Sequence, residues 1–194
     1  MRRIAVFAVV LGMALSSCGR APEAAQIAPL PGSLWDGRPE AGAWTKSAMD
    51  ALDGYGTSLV DTVPGDIDTY CPQYRHLDRE GRKAFWVTFL SALAKHESTW
   101  RPEAAGGGGA WLGLLQISPQ TAQGYGCRAA SAGALKDGGA NLSCGIRIMA
   151  VTVPRDGVIS AGMRGVAADW GPFRTASKRA DIQAATRSQP WCHG

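Results

Sequence analysis

The stretch DREGRKAFWVTFLSALAKHESTW, residues 78–100, decides the fold. Its bulky apolar residues Trp86, Leu90 and Leu93 are spaced four and three apart, and a further step of four reaches Glu97. Side chains at this spacing share one face of an α-helix. The pattern therefore predicts a helix whose last turn places Glu97 beside the core. Burial disfavours the charged form of a carboxyl group and raises its pKa, which lets the acid donate a proton near neutral pH.

A purely structural role for Glu97 stays open at this level, because its carboxylate would equally well cap a neighbouring segment or pair with Lys95 or Arg101. Two other catalytic chemistries fit less well. His96-Glu97 begins like the zinc-protease motif His-Glu-x-x-His, but Trp100 stands in the place of the second histidine. The Gly-x-Ser-x-Gly elbow of a serine nucleophile does not occur in the sequence.

The segment GLLQIS, residues 113–118, begins sixteen positions after Glu97. Its apolar residues would fix the segment in the core, while Gln116 presents an amide. Gly113 would let the backbone approach a ligand closely, since glycine carries no Cβ. Taken alone, the segment is equally typical of a buried turn.

Helical periodicity dominates the chain from Trp44 onward, and the alternation typical of strands is scarce. Ser118, followed by a proline, predicts the start of a helix. Asn141 is predicted to cap another helix, one that ends before Pro154. The glycine run 106–109 is predicted to form a loop or a small hairpin. The fold class is therefore predicted to be mainly α.

The first residues have the features of a targeting signal. Residues 1–17 combine two arginines with an apolar run that is too short to span a membrane, which is typical of a secretory signal peptide. The sequence before Cys18 resembles a bacterial lipobox, and this implies a lipid on that cysteine. In lipoproteins of this kind, an aspartate directly after the cysteine signals retention in the inner membrane. This chain has Gly19 at that position, which implies an outer-membrane location facing the periplasm. The Ala-, Pro- and Gly-rich residues 18–43 are predicted to be a flexible tether, and residues 44–194 the folded domain.

Apart from Cys18, the chain has four cysteines, an even number that suits an oxidising compartment. Four cysteines allow three pairings. The favoured pairing joins Cys127 to Cys144, which closes a short loop, and Cys71 to Cys192, which ties the chain end to the body. A zinc site is less favoured, since the chain has no Cys-x-x-Cys pair.

Length and net charge limit the number of domains and the class of partner that the chain could have. The 194 residues allow one compact domain, and the net charge of +4 is too small to indicate a nucleic-acid partner.

Together, His96-Glu97-Ser98-Thr99-Trp100 and the later GLLQIS resemble the lysozyme-like domain of the soluble lytic murein transglycosylases, the SLT type. The resemblance covers roughly residues 78–173. It implies a goose-type lysozyme-like helical fold with at most a small β hairpin, stapled by two disulfides. The third motif of the family, Ala-Tyr-Asn followed by Gly, is altered here, because Ala168 and Asp169 replace the tyrosine and the asparagine.

The resemblance also implies an activity: cleavage of the β-1,4 bond between N-acetylmuramic acid and N-acetylglucosamine in peptidoglycan, with formation of a 1,6-anhydro product. Glu97 maps to the sole catalytic acid/base of the family. No cofactor and no metal are expected, the glycan strand is the expected partner, and the tether would permit docking to other envelope proteins. The predicted substrate-binding residues are Ser98, Gln116, Ser118, Tyr125, Asp169 and Trp170.

Two alternatives remain at this level. A hydrolytic muramidase is favoured if a second carboxylate, Asp137 or Asp169, approaches Glu97 in space. Glu103 is expected to be separated from the cleft by the glycine run. The altered third motif also leaves open a catalytically inactive lipoprotein that binds peptidoglycan.

Overall fold

The computed structural model describes residues 32–193. The predicted signal peptide, Cys18 and the tether up to residue 31 lie outside the described residues, so lipid attachment and outer-membrane location stay predictions. Between residues 32 and 193 no helix is both long and apolar enough to cross a membrane.

The described chain is mainly helical, with one two-stranded antiparallel sheet in which Gly106 pairs with Trp111. The helices are α1 (Ala41–Asp53), α2 (Thr57–Asp61), α3 (Arg79–Ser98), α4 (Pro119–Gly124), α5 (Gly138–Asp156), α6 (Val166–Asp169) and α7 (Ala176–Arg187), and the strands are β1 (Ala105–Gly106) and β2 (Trp111–Leu112).

Helix α3 is the centre of the core. Asp78 begins it, and its side chain accepts a hydrogen bond of 2.8 Å from the N–H of Gly81, as an N-cap does. The helix packs against α1 and α2 on one side and α7 on the other. Phe85 and Phe89 belong to an aromatic cluster that also takes in Phe173 from the segment before α7. Because residues 85–94 of α3 are all buried, the position of its C-terminal end is fixed.

Helix α5 differs from its prediction at both ends. Asp137 is its N-cap and accepts a hydrogen bond of 2.7 Å from the N–H of Ala140, whereas Asn141 is buried inside the helix. The helix also continues through Pro154 to Asp156. Proline has no N–H, but the Ser58 hydroxyl donates a hydrogen bond of 2.9 Å to the Ala150 carbonyl, the group that would otherwise lack a donor.

Two disulfides join Cys71 to Cys192 and Cys127 to Cys144, the pairing that the sequence favours. The first spans 121 residues and ties the C-terminal segment to the chain before α3, and the second spans 17 residues between α4 and α5. In the chain-entropy description, loops of these sizes contribute roughly 5 and 3 kcal/mol.

The predicted boundary between tether and domain at residue 43 is wrong for the described part of the tether. Trp35 is fully buried, and its indole N–H donates a hydrogen bond of 3.0 Å to the hydroxyl of Thr45. The Gly32 carbonyl accepts a bond of 3.0 Å from the Thr88 hydroxyl on α3. The Ala- and Gly-rich composition concealed this packing, because the segment has few bulky apolar residues and Trp35 is the large one that is fully buried.

We expect a chain that begins at residue 44 to be less stable than one that begins at residue 32. Loss of a buried tryptophan typically lowers the free energy of unfolding by about 3–5 kcal/mol. Urea denaturation of the two chains measures the difference, and Trp35→Phe in the longer chain serves as a milder variant in case the shorter one does not fold. Equal urea midpoints would contradict the packed boundary.

Candidate active site

Glu97 lies in the last turn of α3, half-buried at a cavity of about 450 Å³. Burial raises the pKa of its carboxyl to about 7, and the positive charge of Lys178 on α7 opposes part of that rise. Within residues 32–193 the carboxyl forms no hydrogen bond and no ion pair. The group is therefore about half protonated at neutral pH and free to bond a ligand.

The chain turns sharply just after Glu97. Thr99 and Trp100 both adopt left-handed backbone conformations, each with φ of 54°. Residues other than glycine adopt this conformation at a cost of roughly 1–2 kcal/mol each. The Trp100 indole folds back and donates a hydrogen bond of 2.8 Å to the Ser91 carbonyl. The turn ends the helix at Ser98 and leaves Glu97 at the floor of the cavity.

Residues 113–116 pass beside Glu97 and are tied to the core from several sides. The Ser98 hydroxyl donates a hydrogen bond of 2.9 Å to the Leu114 carbonyl. The Trp170 indole donates a bond of 2.9 Å to the Leu115 carbonyl. Side chains from before and after the loop therefore fix the backbone that carries Gln116.

Asn141 on α5 supplies the third attachment. Its amide nitrogen donates bonds of 2.9 Å to the carbonyls of Leu112 and Leu135, and its amide oxygen accepts a bond of 2.8 Å from the Leu115 N–H. Gly113 is required here because a Cβ would lie 2.1 Å from the Leu135 carbonyl oxygen. The close approach at Gly113 is thus to the protein itself and not, as the sequence suggested, to a ligand.

Gln116 lies at the same cavity as Glu97. Its backbone is left-handed, with φ of 50°, and its amide nitrogen donates to the carbonyls of Ala104 and Gly113 at 3.2 and 2.9 Å. Both donors of the amide are therefore committed to the backbone. The amide oxygen remains available to accept a hydrogen bond from a ligand hydroxyl or amide.

Two of the predicted sugar contacts are almost fully buried. Ser98 is 3% exposed, its hydroxyl is bonded to the Leu114 carbonyl, and it does not line the cavity of Glu97, so its position suits it to holding the loop. Trp170 borders the cavity, but it is 4% exposed and its indole N–H is bonded to the Leu115 carbonyl, so it presents little of its ring for stacking. Trp111, which the prediction omitted, is the exposed indole at this cavity.

The other predicted residues lie around the cavity to different extents. Asp169 lines it together with Glu97, and partial desolvation raises the pKa of its carboxyl. Ser118 caps α4 by accepting a bond of 3.0 Å from the Thr121 N–H, and it borders a smaller neighbouring cavity. Burial and, to a smaller extent, the charge of nearby Asp169 raise the pKa of the Tyr125 phenol, but Tyr125 does not line the cavity of Glu97.

Two further acidic residues, Glu103 and Asp137, differ in where they lie relative to Glu97. Glu103 borders a second cavity of about 390 Å³ together with Glu97 and Gln116, so the expectation that the glycine run separates it from the cleft is wrong. Asp137 caps α5 and does not approach Glu97. In the described part of the chain no three His, Cys, Asp or Glu residues are grouped so as to hold a metal ion.

The comparisons with known proteins agree with this arrangement. The sequence profile described as Transglycosylase SLT domain matches residues 77–157, which include Glu97 and Gln116. A glutamate-to-glutamine mutant of Bd0314 DslA is 32% identical, with a TM-score of 0.77 over 83% of this chain and 97% of that chain. Its wild-type form 2 is 30% identical, with a TM-score of 0.77 over 86% and 100% of the two chains.

The chain belongs to the SLT transglycosylase family. The mainly helical, lysozyme-like fold of residues 32–193, with its one small hairpin, is the expected one. Membership indicates lytic transglycosylase-type activity on the glycan strands of peptidoglycan. No curated protein sequence matches the chain significantly.

We expect Asn141→Leu to lower the free energy of unfolding of this SLT domain by about 2–4 kcal/mol, because three buried backbone groups lose their partner. Urea denaturation measures this change. Thr152→Val on the same helix is the control, since the buried hydroxyl of Thr152 has no partner among the described residues and its removal should be nearly neutral. Equal losses in both variants would contradict the role given to Asn141.

Proposed function

We propose that this protein is a lytic transglycosylase that cleaves the β-1,4 bond between N-acetylmuramic acid and N-acetylglucosamine, with Glu97 as its single acid/base. The observation that supports the proposal is the state of the Glu97 carboxyl. It is half-buried, its pKa is raised to about 7, and it lies at an open cavity together with Gln116, whose amide oxygen accepts no hydrogen bond from residues 32–193.

In the first step the protonated Glu97 donates its proton to the glycosidic oxygen. The bond from this oxygen to C1 of the muramic acid breaks, and its electron pair leaves with the N-acetylglucosamine. C1 acquires oxocarbenium-like character, and the N-acetyl group of the substrate stabilises it in place of a second protein carboxylate. A carboxyl with a pKa near the working pH serves as donor here and as acceptor afterwards.

In the second step the ionised Glu97 removes the proton from the C6 hydroxyl of the same muramic acid. The C6 oxygen attacks C1 and closes the 1,6-anhydro ring, so that no water is consumed. Glu97 is protonated again and ready for the next cleavage. Lys178 is suited to the intermediate state, because its positive charge favours the ionised carboxylate.

A hydrolytic muramidase is the second candidate, and one observation favours it. Asp169 lines one cavity and Glu103 lines another, each together with Glu97 and Gln116. Glycosidases that use two carboxylates employ the second one as a nucleophile or as a base for water. In that case the product would carry a reducing muramic acid, heavier by one water than the anhydro product.

The deciding experiment digests purified peptidoglycan and identifies the products by mass. We expect the wild-type protein to release anhydro-muropeptides and Glu97→Gln to be slower by at least about 100-fold, since glutamine cannot donate a proton. Asp169→Asn and Glu103→Gln are the matched variants, and under this proposal neither changes the product type. If the wild-type protein instead releases products with reducing ends, and Asp169→Asn or Glu103→Gln abolishes them, the mechanism is hydrolytic.

The pH dependence follows from the protonation state of Glu97. Activity requires the protonated form, so the rate should fall as pH rises through about 7. Lys178 lowers the pKa of Glu97, so Lys178→Met should raise that pKa and move the alkaline limb of the kcat/KM profile to higher pH.

Lys136→Met, which changes an exposed lysine away from both Glu97 cavities, is the control for this profile. It should leave the alkaline limb in place. A limb that moves to lower pH in Lys178→Met, or moves equally in both variants, would contradict the assignment of that limb to Glu97.

A further inference from the structure

Two glycines of the run 106–109 lie against the side chains of Trp111 and Gln116. A Cβ built on Gly107 would lie 2.2 Å from Cζ3 and 2.4 Å from Cε3 of Trp111. A Cβ on Gly106, the β-bridge partner of Trp111, would lie 2.5 Å from Oε1 of Gln116. The bare backbone of these two glycines therefore lies directly against the six-membered ring of Trp111 and against the Gln116 amide.

Trp111 itself is 52% exposed, more than the other exposed large apolar side chains of residues 32–193. It borders both the cavity of Glu97 and the smaller cavity beside Ser118. Its indole N–H has no hydrogen-bond partner among those residues. A single exposed apolar side chain is ordinary, but this ring lies against backbone and shares its cavity with Glu97.

We propose that a pyranose ring of the glycan strand stacks on the indole of Trp111 beside Glu97. In this proposal Gly106 and Gly107 lack side chains so that the indole is already in place before the substrate binds. The inference rests on the proposed function, since it takes a glycan strand as the ligand. It assigns the stacking role to Trp111 in place of the buried Trp170.

The chemistry of the ligand supports this assignment. One face of a pyranose ring presents C–H groups, and the face of an aromatic ring carries the negative part of its quadrupole. An indole already held by backbone loses little side-chain freedom on binding, so more of the stacking free energy appears as affinity. Stacking needs neither charge nor a hydrogen bond, which suits a surface that leaves the donors and acceptors of the sugar to Gln116 and Glu97.

The glycines supply a matched pair of variants. Gly107 and Gly108 both have positive φ, of 54° and 66°, so alanine is strained to a similar degree at either position. A Cβ at Gly107 collides with Trp111, whereas a Cβ at Gly108 has nothing within 4 Å. Gly107→Ala should therefore displace the indole, and Gly108→Ala reports the backbone strain alone.

The experiment measures the dissociation constant of peptidoglycan glycan strands for the full chain carrying Glu97→Gln, so that the ligand is not cleaved. We expect adding Trp111→Ala to weaken binding by about 10-fold, which is the size of one ring stack. Trp111→Phe should restore most of that loss, Gly107→Ala should approach the loss of Trp111→Ala, and Gly108→Ala should bind like the parent. Urea midpoints confirm that each variant is folded.

Unchanged binding in Trp111→Ala, no rescue by phenylalanine, or equal losses in the two glycine variants would each overturn the proposal. These outcomes are separate from those that test the proposed function. Binding is read in the Glu97→Gln background, whereas the proposed function fails if the wild-type protein yields no anhydro product. In the active protein, Trp111→Ala should raise KM more than it lowers kcat.

Discussion

Desolvation of one carboxyl group is the constraint on which the site depends. Glu97 lies where burial raises its pKa from 4.5 to about 7, so holding its charged form in the folded protein costs about 3 kcal/mol relative to water. A free side chain would avoid this cost by turning to solvent. Glu97 cannot do so readily, because α3 is enclosed on both sides and the chain reverses immediately after Ser98. The reactivity of the acid is thus a consequence of the rigidity of the helix that carries it.

The loop beside Glu97 is rigid for a different reason. Residues 113–116 form little regular structure, and their backbone groups are bonded instead to the side chains of Ser98, Asn141 and Trp170. Buried side-chain networks of this kind are stabilising only when their members are satisfied. Here three helical segments, α3, α5 and the end of α6, meet on one short loop. The loop therefore holds Gln116 at a fixed place relative to Glu97.

The polar and aromatic groups around the cavity have different roles. Gln116 has its amide nitrogen committed to backbone and its oxygen free, Lys178 supplies a positive charge that acts on Glu97, and Trp111 supplies an open apolar surface. Asp169 and Glu103 bring further carboxylates to the two cavities. The proposed mechanism uses none of these acids as a nucleophile, since the N-acetyl group of the substrate takes that role.

The sequence by itself determined the features that depend on near neighbours in the chain. The four-and-three spacing of α3, the helix start at Ser118, and the mainly helical class all follow from local periodicity and side-chain hydrogen bonding. The motif residues Glu97 and Gln116 were also found in the sequence, and the structure places both at one cavity.

Only the tertiary structure decided which side chains face that cavity. The Ser98 hydroxyl and the Trp170 indole N–H are bonded to the Leu114 and Leu115 carbonyls, so both side chains are almost fully buried, although Trp170 still borders the cavity. Asn141 lies inside α5, where its amide bonds the same loop, and Asp137 caps the helix in its place. Trp111 is turned outward because two glycines leave room for its ring. The contacts that hold Ser98, Asn141 and Trp170 on this loop join residues 16 to 55 positions apart, so the local spacing of residues carries no record of them. The glycines beside Trp111 are near it in the chain, but their contact with its ring depends on how β1 and β2 pair.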